Sequence, residues 1–132
     1  MSLRVFEPPV AGIRSATVST TGEPVNALVD STLTVQVTYD GDVTRLTADG
    51  EIDASSAHTF EAAATQALAE LPRCVEVDLA AVGFIDSSGL RSIISLSNRA
   101  RERQVDVVLT GLSAAAQRVL EITGLIDTLR RG

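Results

Sequence analysis

The chain has 132 residues, 45% hydrophobic and 21% charged, enough for one domain with a buried core. Its net charge is −6, which argues against duplex nucleic acid, where clustered Lys and Arg must neutralise phosphates. All 11 cations are Arg, and there is one His, one Cys and no Trp, so lysine-dependent phosphate loops, kinase and Schiff-base chemistry, two-His metal sites and an internal disulfide are all excluded.

Residues 1–32 hold three of the four prolines and many Ser and Thr. Met1 to Val10 lacks the apolar segment of a signal peptide. The composition predicts a flexible tail, with an added edge strand around Ile13–Val18 as the alternative. Leu33–Tyr39 alternates apolar and polar residues and predicts a half-buried strand. Asp40-Gly41-Asp42 is a hairpin turn, and Val43–Ala48 returns as the second strand before a turn at Asp49-Gly50-Glu51.

Ser55–Leu71 carries one apolar stripe, Phe60, Ala63, Ala64, Ala67, Leu68 and Leu71, and predicts a helix stopped by Pro72. Asp53, Ser55 and Ser56 are its candidate N-caps. Cys74–Leu79 alternates again and continues to Ile85. A second helix runs from Asp86-Ser87-Ser88-Gly89 to about Arg103, with Leu90, Ile93, Ile94, Ser97 and Ala100 on its inward side. Arg99, Arg101 and Arg103 suit the negative end of its dipole. Val105–Thr110 is a short strand, Ser113 caps a helix over Ala114–Ile122, and Gly124 closes it. That helix buries Ala116, Val119 and Leu120, and Leu125–Leu129 is a short apolar finish. No apolar run approaches the roughly 18–20 residues of a membrane span, so no direct membrane insertion is expected. The pattern is α/β: a single domain with a small mixed sheet, an N-terminal hairpin followed by parallel strands, packed against helices.

In open α/β sheets, function collects beyond the carboxyl ends of the strands. Two such ends carry polar residues: Gly50-Glu51-Ile52-Asp53 and Asp86-Ser87-Ser88-Gly89. If the strands are neighbours, Asp53, Asp86 and two hydroxyls share a surface. Three readings of Asp86-Ser87-Ser88-Gly89 stay open. It is a helix cap. It is a hydrolase nucleophile that uses the lone His58, although the flanks are not Gly-x-Ser-x-Gly. Or it is a phosphorylation switch, in which a phosphoserine adds about −1.5 to −2 charge at a helix start beside carboxylates. The helix end would favour the phosphate, and the carboxylates would oppose it. No cofactor or metal site is expected.

Asp86-Ser87-Ser88-Gly89-Leu90, preceded by Val82-Gly83-Phe84-Ile85, resembles the phosphorylation loop of the STAS-domain family of bacterial anti-sigma factor antagonists. Gly50-Glu51-Ile52-Asp53 is similar to that family's Gly-Glu-Leu-Asp. The run from Ser113 to Leu120, followed by Thr123-Gly124-Leu125, resembles its third helix and the Ser-Gly-Leu beyond. The likeness covers roughly residues 33–129 and divides the chain into an extension, 1–32, and a STAS domain, 33–132.

The resemblance implies a cytoplasmic binding module and not an enzyme. Its partner would be an anti-sigma factor that is also a serine kinase, and binding would free a sigma factor. The kinase would phosphorylate Ser88 (Ser87 is the second choice), and a PP2C-type phosphatase would reset it. Asp86, Ser87 and Gly89 would shape the loop; Asp53 and, more weakly, Glu51 would belong to the partner surface. Other roles for the same fold are a stressosome-type scaffold or a regulatory subunit of a membrane transport complex, and a more distant one is a small serine hydrolase. The family's simplest members carry a shorter N-terminus and a further C-terminal helix. The apolar surface left around the third helix is expected to be covered by the N-terminal residues or by a second copy in a homodimer.

Overall fold

Alternation in residues 33–52 sends Leu33, Val35 and Val37 to the same side of a sheet as Leu46, Ala48 and Ile52, and all six are buried. The computed structural model describes residues 14–18, 25–124 and 130–131. Within them the elements are β1 (Arg14–Val18), β2 (Val25–Val29), β3 (Leu33–Asp40), β4 (Val43–Ile52), α1 (Ala57–Ala69), β5 (Cys74–Ile85), α2 (Ser87–Glu102), β6 (Asp106–Leu112), α3 (Ala114–Thr123) and β7 (Arg130–Arg131). The seven strands form one sheet in chain order. Pairing is antiparallel from β1 to β4 and parallel from β4 to β7.

The core is one cluster on the helix-covered face. Val37 pairs with Leu46, Leu46 with Val77, and Val77 with Leu109, so an apolar row crosses four strands. Phe60, Ala63, Ala64, Ala67 and Leu68 of α1 pack on it. The small alanines let the helix lie close to the sheet. The opposite face is polar: Gln36 and Arg45 are exposed there, and Arg45 lies 2.7 Å from Glu76 Oε1 and 3.1 Å from Asp40 Oδ2. Such exposed pairs add little stability.

Residues 25–29, read from the sequence as part of a flexible tail, form β2, which pairs with β3 and buries Leu28 completely. β1 pairs with β2 in turn. Their runs of five residues are too short for periodicity to separate from loop; they form because β3 offers a free edge. β3 and β4 separate β2 from β5, against which α3 packs. The described N-terminal strands therefore do not cover α3, and its Ile122 is 77% exposed. Residues 125–129, read as an apolar finish, lie outside the described residues.

β4 runs through Ile52, so Gly50 and Glu51 belong to a strand and not a turn. Two register shifts let it follow the long β5 to its end. Gly50 has φ +125°, and a Cβ there would stand 2.1 Å from Thr32 O, the carbonyl that accepts from Glu51 N–H at 2.9 Å. Leu71 is not part of the α1 stripe. It follows the helix end with φ +50° and is 63% exposed, because the residue before Pro72 avoids helical backbone.

Gly50→Ala should lower stability by about 2 kcal/mol or more, since a clash with backbone adds to an unfavourable φ. Urea denaturation at neutral pH measures this.

Candidate functional site

Ile52 and Ile85 are partners in neighbouring parallel strands, so Asp53 and Asp86, the next residues, leave the sheet side by side. Asp86 N–H donates to Ile52 O at 3.2 Å, which ties the second loop to the end of β4. Gly89 sits in the first turn of α2 and is buried; a Cβ there would lie 2.4 Å from Ile52 O and 2.9 Å from Ile85 Cγ2. The glycine is what lets α2 begin hard against β4.

Asp86 is the N-cap of α2. Its Oδ1 accepts from Ser88 N–H at 2.8 Å and Gly89 N–H at 3.1 Å. The helix end therefore already has its anion. A phosphate at Ser88 would meet a carboxylate on those amides, where the sequence reading offered it free donors. Ser87 is exposed and Ser88 half-buried, and neither Oγ hydrogen-bonds to another of the described residues.

Asp53 organises the neighbouring loop. Its Oδ1 accepts from Ser55 Oγ at 2.7 Å, Ser55 N–H at 3.0 Å and Ser56 N–H at 3.2 Å. The buried Ser56 lies 2.7 Å from Glu51 O through its Oγ, which also accepts from Asp53 N–H at 3.0 Å. The Ser55 hydroxyl, aided by the other donors, holds the Asp53 carboxyl below its ordinary 3.8. Ser56 occupies the α1 N-cap position but makes no side-chain cap bond; Asp53 Oδ1 accepts from Ser55 and Ser56 N–H just ahead of the helix. The Glu51 side chain is exposed. Asp53, Asp86, Ser87, Ser88 and Gly89 thus come together at one end of the sheet, with Glu51 one position below on β4.

His58 does not join them. Its Nε2 stands 3.3 Å from Asp30 Oδ2 without hydrogen-bond alignment, and Asp30 also accepts from Thr59 Oγ1 at 3.2 Å. The imidazole faces the β2–β3 turn, so nothing supports pairing it with Ser87 or Ser88 as a nucleophile and its base. Among the described residues no three His, Cys, Asp or Glu side chains gather as metal ligands.

The inward side of α2 differs from the sequence expectation. Gly89, Ser92, Ile93, Leu96 and Ala100 are buried, while Ile94 is 38% exposed and Leu90 and Ser97 are half-buried. Leu90 still packs on the core; Ile94 is the expected inward residue that faces out, as Gly89 makes the close approach to β4. Ser92, which the sequence reading passed over, is 1% exposed, and its Oγ lies 3.2 Å from Glu61 Oε2 on α1 and 3.1 Å from Ser88 O. Gly89 and Ser92, three apart, were the available signal.

A family model for the STAS domain matches residues 34–131. The chain belongs to the STAS domain family. The match takes in the STAS sheet from β3 onward, with β1 and β2 ahead of it. The anti-sigma-B factor antagonist of Listeria monocytogenes is 36% identical over 80 residues, covering 61% of this chain and 70% of that protein. The protein of the same name from Listeria innocua matches equally. Among solved structures, an anti-sigma factor antagonist from Mycobacterium paratuberculosis superposes with TM-score 0.68 at 26% identity, covering 75% of this chain and 84% of that one. The unphosphorylated anti-sigma factor antagonist SpoIIAA gives TM-score 0.64 at 16% identity, over 74% and 87% of the two chains, and shares the fold. Among the described residues, no helix is long and apolar enough to cross a membrane.

Asp86→Ala should cost about 1 kcal/mol through loss of the cap, read by thermal or urea unfolding. Asp53 has a folded pKa below its ordinary value, so its contribution is present above 3.8 and is lost as pH falls through the lower folded value. Asp53→Ala should therefore lower stability at pH 7 and flatten its decline below about pH 4, as followed by urea unfolding across that range.

Proposed function

We propose that this STAS domain is an anti-sigma factor antagonist: it binds a serine-kinase anti-sigma factor, so releasing a sigma factor, and phosphorylation of Ser88 ends the binding. The observation that carries the reading is the pair of strand ends. A serine whose hydroxyl has no partner among the described residues stands in the first turn of α2, beside the Asp53 loop. Relatives named as anti-sigma factor antagonists support the same role.

In the proposed step, Ser88 Oγ attacks the γ-phosphorus of ATP held by the kinase. The bond from that phosphorus to the β–γ bridging oxygen breaks, ADP leaves, and the hydroxyl proton passes to a base of the kinase. The new group brings about −1.5 to −2 charge. Asp86 already fills the nearest amides, so the phosphate gains little from the helix end and adds to a surface that holds Asp53 and Glu51. Docking is lost by repulsion, and the fold stays. A PP2C-type phosphatase restores the hydroxyl by hydrolysing the phosphoester. The chain is a binding module and a kinase substrate rather than an enzyme, and it works in the cytoplasm where sigma factors act. Residues 33–132 are the binding domain and 1–32 an extension to it; a homodimer that covers α3 is part of the same reading.

Ser88→Ala should unfold like wild type yet take no phosphate from the kinase and ATP, as read by intact-protein mass spectrometry. Ser88→Asp should weaken kinase binding by about tenfold or more, or 1.4 kcal/mol per decade, in calorimetric titration. Phosphorylation of Ser88→Ala at the wild-type rate would move the acceptor to Ser87. Equal affinity of wild type and Ser88→Asp would leave Asp86-Ser87-Ser88-Gly89 as a helix cap.

A further inference from the structure

A helix pressed against a sheet has two settings: how near it lies, and which way it is turned about its axis. On α2 the first belongs to Gly89, which lies against Ile52 and Ile85. The second falls to Ser92. One residue of helix is a turn of about 100°, so the choice of inward residue at 92 fixes the direction of Ser88 one turn earlier. Apolar burial sets this rotation coarsely, with Ile93, Leu96 and Ala100 buried, Leu90 packed on the core and Ile94 38% exposed; the Ser92 hydrogen bond adds direction to it.

Burying a hydroxyl costs free energy unless it is hydrogen-bonded. Ser92 Oγ has three acceptors in reach: Ser88 O at 3.1 Å, Glu61 Oε2 at 3.2 Å and Ala57 O at 3.5 Å. It has one proton to give. The carboxylate is the strongest of the three acceptors, and it lies on α1. A second tie joins the same helices further along, where Arg99 Nη2 donates to Thr65 Oγ1 at 2.9 Å. The Ser92 contacts, to Glu61 Oε2 and more distantly to Ala57 O, are the ties to α1 that lie one turn from Ser88. The start of α1 is in turn fixed by the Asp53 and Ser56 loop.

We infer that Ser92 and Glu61 are positioning residues: their hydrogen bond sets the rotation of α2 against α1 and so holds Ser88 in register with the Asp53 loop for the kinase. The inference rests on the functional reading above for its consequence, but the contact itself can be tested in the free protein.

The amide resonances of Ser87, Ser88 and Gly89 are recorded by NMR for wild type, Ser92→Ala, Glu61→Ala, Glu61→Gln and Thr65→Ala. Each protein is then phosphorylated by the recombinant kinase under subsaturating conditions. Ser92→Ala and Glu61→Ala should move those resonances and slow phosphorylation by about threefold or more, with the double variant no slower than the slower single one. Glu61→Gln keeps an acceptor and should stay within about twofold of wild type, as should Thr65→Ala, which removes only the distant tie. Wild-type resonances at 87–89 in Ser92→Ala would overturn the inference. So would multiplicative losses in the double variant, or an equal loss in Thr65→Ala. Resonances that move as expected in a protein that the kinase never phosphorylates would support the positioning role and remove the functional reading.

Discussion

The absence of a β-carbon at residue 89 is the constraint on which the site depends. Gly89 brings the first turn of α2 into contact with the end of β4, at a distance that any side chain would forbid. The loop before it then has one course open, with Asp86 N–H on Ile52 O and the Asp86 carboxylate on the first free amides of the helix. Ser87 and Ser88 follow directly, the first exposed and the second half-buried. Closing the helix onto the strand and presenting the serines are one structural act.

The same carboxylate settles the electrostatics. A helix N-terminus ordinarily welcomes an anion. Here Asp86 is that anion, and Asp53 plays the same part for the loop that leads into α1. Both loops are therefore built by internal carboxylates, which take the Ser88 and Gly89 amides in one and the Ser55 and Ser56 amides in the other. No Arg occurs between Arg45 and Arg73, or between Arg73 and Arg91, so the loops at 50–53 and 86–89 carry acids without cations of their own, and Arg91 follows three residues after Ser88. A further negative group is poorly received there. That is the property a docking surface needs if phosphorylation is to dissolve it.

The two faces of the sheet divide the work. The helix-covered face holds the apolar row that runs from Val37 to Leu109, and it is rigid because close packing leaves its side chains few alternatives. The site stands at the edge of that core, where α1 and α2 meet through Ser92, Glu61, Thr65 and Arg99. Hydrogen bonds have direction where apolar contacts do not, so these polar ties can fix a helix rotation that hydrophobic burial leaves loose.

Much of this was legible in the residues themselves. Alternation at 33–39 and 74–79, the stripe from Phe60 to Leu68, Pro72 and the caps at Asp86, Ser113 and Gly124 each reflect a preference of the chain over a few residues, and such preferences survive without tertiary context. The motifs at Gly50–Asp53 and Asp86–Gly89 likewise marked the two loops that meet. What the sequence left undecided lies in contacts between distant segments. β1 and β2 exist because β3 has an edge to pair with. β4 extends through Gly50 because β5 runs beside it and Thr32 O accepts from Glu51 N–H. Ile94 turns outward while Gly89 and Ser92 share the inward side of α2 with Leu90, Ile93 and Leu96, because Ile52 stands where a side chain at 89 would go and Glu61 stands where a hydroxyl can be satisfied. Periodicity reports what a helix would bury against a featureless apolar wall; the wall here has a carbonyl and a carboxylate in it, and only the folded chain places them.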